Sequence, residues 1–404
     1  PATDVYGFCI GAPVSALSSP PSLPTSTVVN QEAGDLPFII DPNLRMPYSQ
    51  SWNFGIQRDL PGSVTMELNY VGSRGTRLLR LVDGNPPQPA LVAQLEAFCV
   101  PTNPANTGFN TPTGQCSQST LQFNSLWIGA EEGFMPFDAV NNNAFLHAEV
   151  FNNAASSIYH ALQANLTKRM SQGLTFQAAY TWAHAIDNSS DPLTPSTGNQ
   201  GFPRNSLDLG AERGNADFDV RQRLVINYSW AIPLGHGHDH LAEGPASTIF
   251  GGWEVAGITT FSGGLPYDIF SALDTAHTGQ QQRADYNPAG TPLHVSNPRT
   301  QTGPNLGLFS DPAWGSAGNL GRNYFYGPGV NTWDMVLQKT LRLSERANVQ
   351  FRTEGYNVFN RVQFSQPDNL ISDTNSFGQS SSEVRRPDLT TGARQIQFGV
   401  KLSF

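Results

Sequence analysis

The sequence predicts an all-β fold, an antiparallel up-and-down transmembrane β-barrel, and three observations carry that prediction. Only 14% of the residues are charged, against roughly 25% in an ordinary globular domain, so much of the exterior either does not meet water or is covered by neutral polar residues. Alternating apolar segments are joined in turn by short and by very long connections, as in barrels whose periplasmic turns are short and whose external loops are long. The chain also closes on a strand, Gln395 to Phe404, in which Ile396, Phe398, Val400, Leu402 and Phe404 share one face and Gln397, Gly399, Lys401 and Ser403 the other.

Taken in order, residue 1 is Pro and no leader follows it, so residues 1–47 are expected to be an external loop segment at a truncated N-terminus. Residues 48–404 are expected to form a single, incomplete barrel domain of about nine strands. The first hairpin sets Trp52, Phe54 and Ile56 against Asn53, Gly55 and Gln57, turns at Leu60 to Ser63, and returns through Val64, Met66, Leu68 and Tyr70. The second runs through Leu162, Ala164 and Leu166, turns at Met170 to Gly173, and returns through Leu174, Phe176, Ala178, Tyr180 and Trp182. The third joins Leu224, Ile226, Tyr228 and Trp230 to Trp253, Val255, Gly257, Thr259 and Phe261 through residues 232–250. The fourth pairs Trp333, Met335 and Leu337 with a strand near Val349 to Asn357, where Phe351 and Tyr356 fall on opposite faces.

Between the hairpins lie polar intervals rich in Asn, Ser, Gly and Pro at 73–156, 185–217, 263–330 and 359–392, expected as the extracellular, ligand-binding loops. Loops beyond about 12–15 residues normally count against an element assignment in a compact domain, but their regular alternation with short turns is the barrel rule. In that topology Trp52, Tyr70, Trp182, Phe261 and Trp333 fall near the outer strand ends, and Trp230, Trp253 and Phe404 near the inner ends. Two interfacial girdles result. The rival is a soluble β-sandwich with the same aromatics in its core.

Composition narrows the function. A net charge of −9, with no basic run, argues against nucleic acid as a partner. No stretch approaches the roughly 18 consecutive apolar residues that a spanning helix needs. Phosphate-loop, HExxH, GxSxG and dinucleotide patterns are all missing, so the chain is expected not to be an enzyme and to need no cofactor. Cys99 and Cys116 are spaced either for a loop disulfide or as free thiols. His236, His238 and His240 lie close enough with Asp239 to share a transition metal, although a polar turn is the favoured reading and no metal site is assigned. The run Asp187 to Asp191 offers hard oxygen ligands for Ca²⁺ but lacks EF-hand spacing, which favours a solvated turn.

Arg352 and Glu354, two apart in one strand, belong on one face, and the lipid side cannot hold charge cheaply. With Glu67, Glu254, Asp334 and Lys401 they are expected to face the lumen, touching water or a plug by default and a solute less readily.

Several blocks resemble the C-terminal barrel region of TonB-dependent outer-membrane receptors, in particular the Oar-like group of soil bacteria. They are Pro47 to Asn53 with Tyr70 to Gly75, Tyr159 to Gln163 with Thr181 to Asp187, Asp217 to Arg223, Gly252-Trp253 with Gly263 to Tyr267, Phe351 to Asn360, and the terminal strand. The resemblance implies a larger barrel of about 22 strands around a plugged lumen, in the bacterial outer membrane. It implies import of a scarce nutrient driven through the TonB complex, with Phe404 as the terminal aromatic met by the barrel-assembly machinery. Lipid and an unidentified small-molecule, glycan or peptide ligand complete the expected partners. The alternative is a non-transporting surface or adhesive β protein whose long loops bind a partner.

Overall fold

The computed structural model describes residues 38–84, 86, 149–191, 202–235, 238, 240–241, 243–276, 278, 280–288, 302–313, 316–344, 347–384 and 392–404. All lie in the unit Pro37–Phe404; a second unit, Pro1–Leu36, falls outside the described residues. In chain order the strands are β1 (Phe38–Ile40), β2 (Tyr48–Leu60), β3 (Val64–Asp83), β4 (Glu149–Ser171), β5 (Leu174–Asp187), β6 (Gly214–Asn215) and β7 (Gln222–Ala231). Helix α1 (Gly244–Phe250) follows, and then β8 (Trp253–Ser262), β9 (Pro266–Tyr267), β10 (Asp285–Tyr286), β11 (Phe309–Ser310), β12 (Phe325–Tyr326), β13 (Val330–Arg342), β14 (Asn348–Tyr356) and β15 (Gln395–Ser403).

The nine long strands pair in the order β15-β14-β13-β8-β7-β5-β4-β3-β2, each antiparallel to the next. This is the expected up-and-down meander. It is not closed: β2 and β15 are its edges, and no pairing joins them among the described residues. The register carries each apolar row across the whole sheet. Phe54 faces Tyr70, Tyr70 faces Leu162, Leu162 faces Trp182, and further along Trp230 faces Val255, Val255 faces Leu337, and Phe351 faces Val400. Because side chains alternate between faces, a one-residue slip would turn every row over, so the apolar pattern fixes the register.

Turn chemistry agrees. Ser171 pairs with Leu174 across Gln172-Gly173, whose φ values of 53° and 76° are both positive. Two such residues in succession make the tight turn that matches strand twist.

The loop boundaries need correction. β3, at 20 residues, and β4, at 23 residues, far exceed the roughly 9–11 residues that cross a membrane. They extend to Asp83 and back to Glu149, inside the interval 73–156. Above the hydrocarbon the ladder needs backbone pairing but no apolar row, so the polar sequence there hides the strands. Bulges interrupt the extension between Gly75 and Arg80. Similarly, β1 lies within 1–47 and pairs parallel with the start of β4; β5 runs to Asp187 and β6 lies within 185–217. β9 to β12 lie within 263–330 and form two small sheets.

These intervals are not simple polar loops. Their described parts fold over a core of Tyr267, Ile269, Ala284, Leu320, Phe325, Ile371 and Phe377, drawn from both 263–330 and 359–392. A second cluster joins Phe202 to Leu81 and Phe151 at the ends of β3 and β4. We refer to this folded loop region as the cap and to the nine-strand sheet as the wall.

Candidate functional site

Glu67, Glu254, Asp334, Arg352, Glu354 and Lys401 all fall on the wall face opposite the apolar rows. There they are tied into cross-strand polar ladders. Gln177 Nε2 donates to Asn165 Oδ1 at 3.1 Å, and Asn165 Nδ2 reaches Glu67 Oε2 at 3.5 Å. Glu254 accepts from Ser229 Oγ at 2.5 Å on one side and from Gln338 on the other. Arg352 Nε lies 2.5 Å from Glu354 Oε1, Tyr356 Oη donates to Glu354 Oε2 at 3.0 Å, and Asp334 Oδ1 accepts from the Asn357 backbone at 2.9 Å. Lys401 sits opposite Gln350 on the last strand and is exposed. Arg223, Asn227, Asp334, Arg352, Glu354 and Tyr356 line an open trough of about 960 Å³ along this face. These charged groups share the trough with Ala256, Ile258, Val330 and Val336, so its lining mixes polar and apolar side chains.

The cap is held together, and tied to the end of β5, by buried ions as well as by its apolar clusters. Arg283, only 1% exposed, sets its guanidinium between Glu212 (Nη2 to Oε2, 2.6 Å) and Asp268 (Nε to Oδ1, 3.0 Å). Arg322 bridges Asp187 at the end of β5, Ser190 Oγ at 2.8 Å and Asp217 Oδ1 at 2.9 Å. Asp219 accepts the Ala185 backbone N–H at 2.7 Å and the Tyr326 hydroxyl at 2.7 Å, with His184 Nδ1 3.2 Å away. Burial alone pushes the Glu212 carboxyl up, but the charge and hydrogen bonds of Arg283, with Arg204 and Arg322 nearby, outweigh it and hold the group below the ordinary carboxylate range. Burial works against the Arg283 cation in turn, and Asp268 and Glu212 hold its pKa above the usual value.

This network corrects one expectation and supplies residues that the sequence did not point to. Asp187 and Ser190 are neither Ca²⁺ ligands nor a solvated turn: Asp187 is buried and held by Arg322, because a buried carboxylate needs a cation and the loop that supplies it lies far along the chain. Asp217, Asp219, Glu212, Arg283 and Arg322 carry no local motif, although Asp217-Phe218-Asp219 alternates acids with one apolar residue. Among the described residues no cluster of three His, Cys, Asp or Glu side chains could hold a metal. Cys99, Cys116 and His236 lie outside the described residues, while His238 and His240 serve their turn through backbone bonds with Gly235.

A family model described as the outer membrane beta barrel domain matches residues 4–397. The chain belongs to that family. The barrel wall therefore resides in the bacterial outer membrane, and lipid covers its apolar face. That face carries Phe398, 78% exposed, with Val400, Phe54 and Ile56, side chains that a water-facing surface of this extent would not leave open. Along the outer rim Trp52, Tyr70 and His160 cluster, with Tyr70 Oη 2.8 Å from His160 Nδ1. An aromatic ring half in lipid with its polar atom satisfied is the expected girdle arrangement.

Among solved structures the barrel is similar to the outer membrane transporter YddB from Escherichia coli, at 9% identity and a TM-score of 0.38, over 89% of this chain and 33% of that one. It is also similar to the pyoverdine outer membrane receptor FpvA from Pseudomonas aeruginosa (9% identity, TM-score 0.36, 89% and 30%). A third is BauA, the ferric preacinetobactin receptor from Acinetobacter baumannii (8% identity, TM-score 0.33, 88% and 29%). The chain spans about a third of the length of these structures. No curated protein sequence matches it.

Proposed function

We propose that this chain is the C-terminal barrel portion of a TonB-dependent receptor, similar to the Oar-like group, whose cap captures a nutrient ligand that then passes along the trough. The observation that carries this reading is the pairing of an inner face crossed by polar ladders with a folded cap anchored at the outer end of β5 through Asp187, Asp217 and Asp219. A lipid anchor alone needs neither. The sequence blocks shared with TonB-dependent receptors support it, since Asp217 to Arg223 and Thr181 to Asp187 are the segments that root the cap. In this reading a plug fills the lumen, the TonB complex supplies energy, and Phe404, 97% exposed at the end of the outward row, is presented to the assembly machinery.

The test is growth of cells carrying or lacking the full gene on media with a single ferric siderophore, oligosaccharide or peptide source, each with and without a working TonB complex. The expected result is an advantage on at least one source that needs both the gene and TonB. Binding to cells that persists without TonB, with no growth advantage on any source, would replace transport by surface adhesion.

A further inference from the structure

We propose that the β7–β8 connection is a membrane anchor, in which α1 lies on the lipid-facing side of the wall at the periplasmic rim and buries Ile249 and Phe250 in the phospholipid of the periplasmic leaflet. Lys339 and Trp253 are cross-strand partners in the apolar row that also holds Val255 and Leu337. Both turn their polar ends onto the same helix. Lys339 Nζ donates to the carbonyls of Thr248 (2.7 Å), Ile249 (3.1 Å) and Gly251, and Trp253 Nε1 donates to the Ile249 carbonyl at 2.9 Å. Side chains that leave the outward face can meet those carbonyls only if the C-terminal end of α1 lies on that face. The C-terminal end of α1 therefore lies against the outside of the wall rather than beneath the lumen.

The chemistry suits a lipid boundary. The last carbonyls of a helix have no partner within it, and beside hydrocarbon such groups are costly. Here one ammonium, 7% exposed and 5.3 Å from the Trp253 ring centroid, satisfies two of them, those of Thr248 and Ile249, together with the carbonyl of the C-cap Gly251. A lysine on a lipid-facing row near the rim is tolerated when its head reaches polar company. Gly252, at φ 68°, fixes the height of the connection, since a Cβ there would meet Thr340 O at 2.6 Å. Ile249 and Phe250 remain 61% and 54% exposed. With the end of α1 held beside Trp253 and Lys339, the same lipid that covers the wall covers them.

The test uses the full chain with Cys9, Cys99 and Cys116 changed to Ser, refolded into phosphatidylethanolamine and phosphatidylglycerol vesicles, with a nitroxide at F250C, E243C or V400C. Accessibility to oxygen and to a water-soluble nickel chelate is read at each site, and heat-shifted gel migration checks folding. At F250C the oxygen-to-nickel ratio should exceed that at E243C several-fold and approach that at V400C. A ratio at F250C equal to that at E243C, or shielding from both reagents as a protein contact would give, overturns the proposal. A second variant, K339M, should lower the ratio at F250C while leaving gel migration unchanged; an unchanged ratio overturns the pin.

Discussion

In the wall, Phe54, Phe351, Phe398 and Val400 lie open on one face while Glu254 and Gln177 are tied into ladders on the other; in the cap, Arg283 and Asp268 are buried beside Tyr267, Ile269 and Phe325. The wall leaves burial of its apolar face to lipid, so only backbone pairing and alternation have to be right. The cap must supply its own interior from segments far apart in sequence, and Glu212 and Asp268 enter that interior paired with Arg283. The wall is thus specified locally, strand by strand, and the cap by long-range pairing.

Four measurements sharpen this contrast. The largest effect belongs to Arg283→Met, which removes the cation between Glu212 and Asp268 and leaves Glu212 a longer ion pair to Arg204 at 4.0 Å. Removing one partner of a buried pair costs about 3–5 kcal/mol, and the loss should appear as protease cutting within residues 263–384 while heat-shifted gel migration of the wall persists. Equal loss of both would show that cap and wall are one cooperative unit. Next, Ala178→Arg places a charge on the lipid-facing row of β5 and should cost about 2–4 kcal/mol in urea unfolding from bilayers. Its neighbour Gln177→Arg, on the polar face, should change the midpoint little; similar costs at both would invert the assignment of faces.

Smaller again is Gly173→Ala. The turn φ of 76° is left-handed and a Cβ would meet Ala231 O at 2.5 Å, so a penalty of roughly 1–2 kcal/mol is expected, read as a lowered unfolding midpoint with the fold retained. Last comes pH. The Glu212 carboxyl lies below its ordinary value of 4.5 in the folded cap, so its stabilisation is fully present above that value and drains away as pH falls through the folded pKa. Protease resistance of the cap should hold from neutral pH down to about 5 and fall in stronger acid. Loss beginning near pH 6 would show that Glu212 does not set the acid limit of the cap.

What could be read in the sequence follows the same divide. Trp52 to Ile56, Leu174 to Trp182 and Ile396 to Phe404 announce their strands because lipid on one side and water on the other impose a period of two. The polar stretch from Ser73 to Arg80 and the start of β4 conceal theirs, since no apolar row is required above the hydrocarbon. Glu212 and Arg283, 71 residues apart, share no pattern that links them. Asp219 stands in a block that resembles receptor sequences, yet nothing local shows that its carboxylate holds the Ala185 amide and the Tyr326 hydroxyl. Pairing across that distance is a property of the folded loops alone.

Among the described residues the margins at β2 and β15 are unpaired, and they impose a selection rule on any further strand. A segment that zips onto β2 must set a lipid-soluble side chain abreast of Phe54 and a water-soluble one abreast of Asn53, and the same alternation holds beside Phe398 and Gln397. Only stretches written in the matching phase can extend the sheet, whichever molecule supplies them.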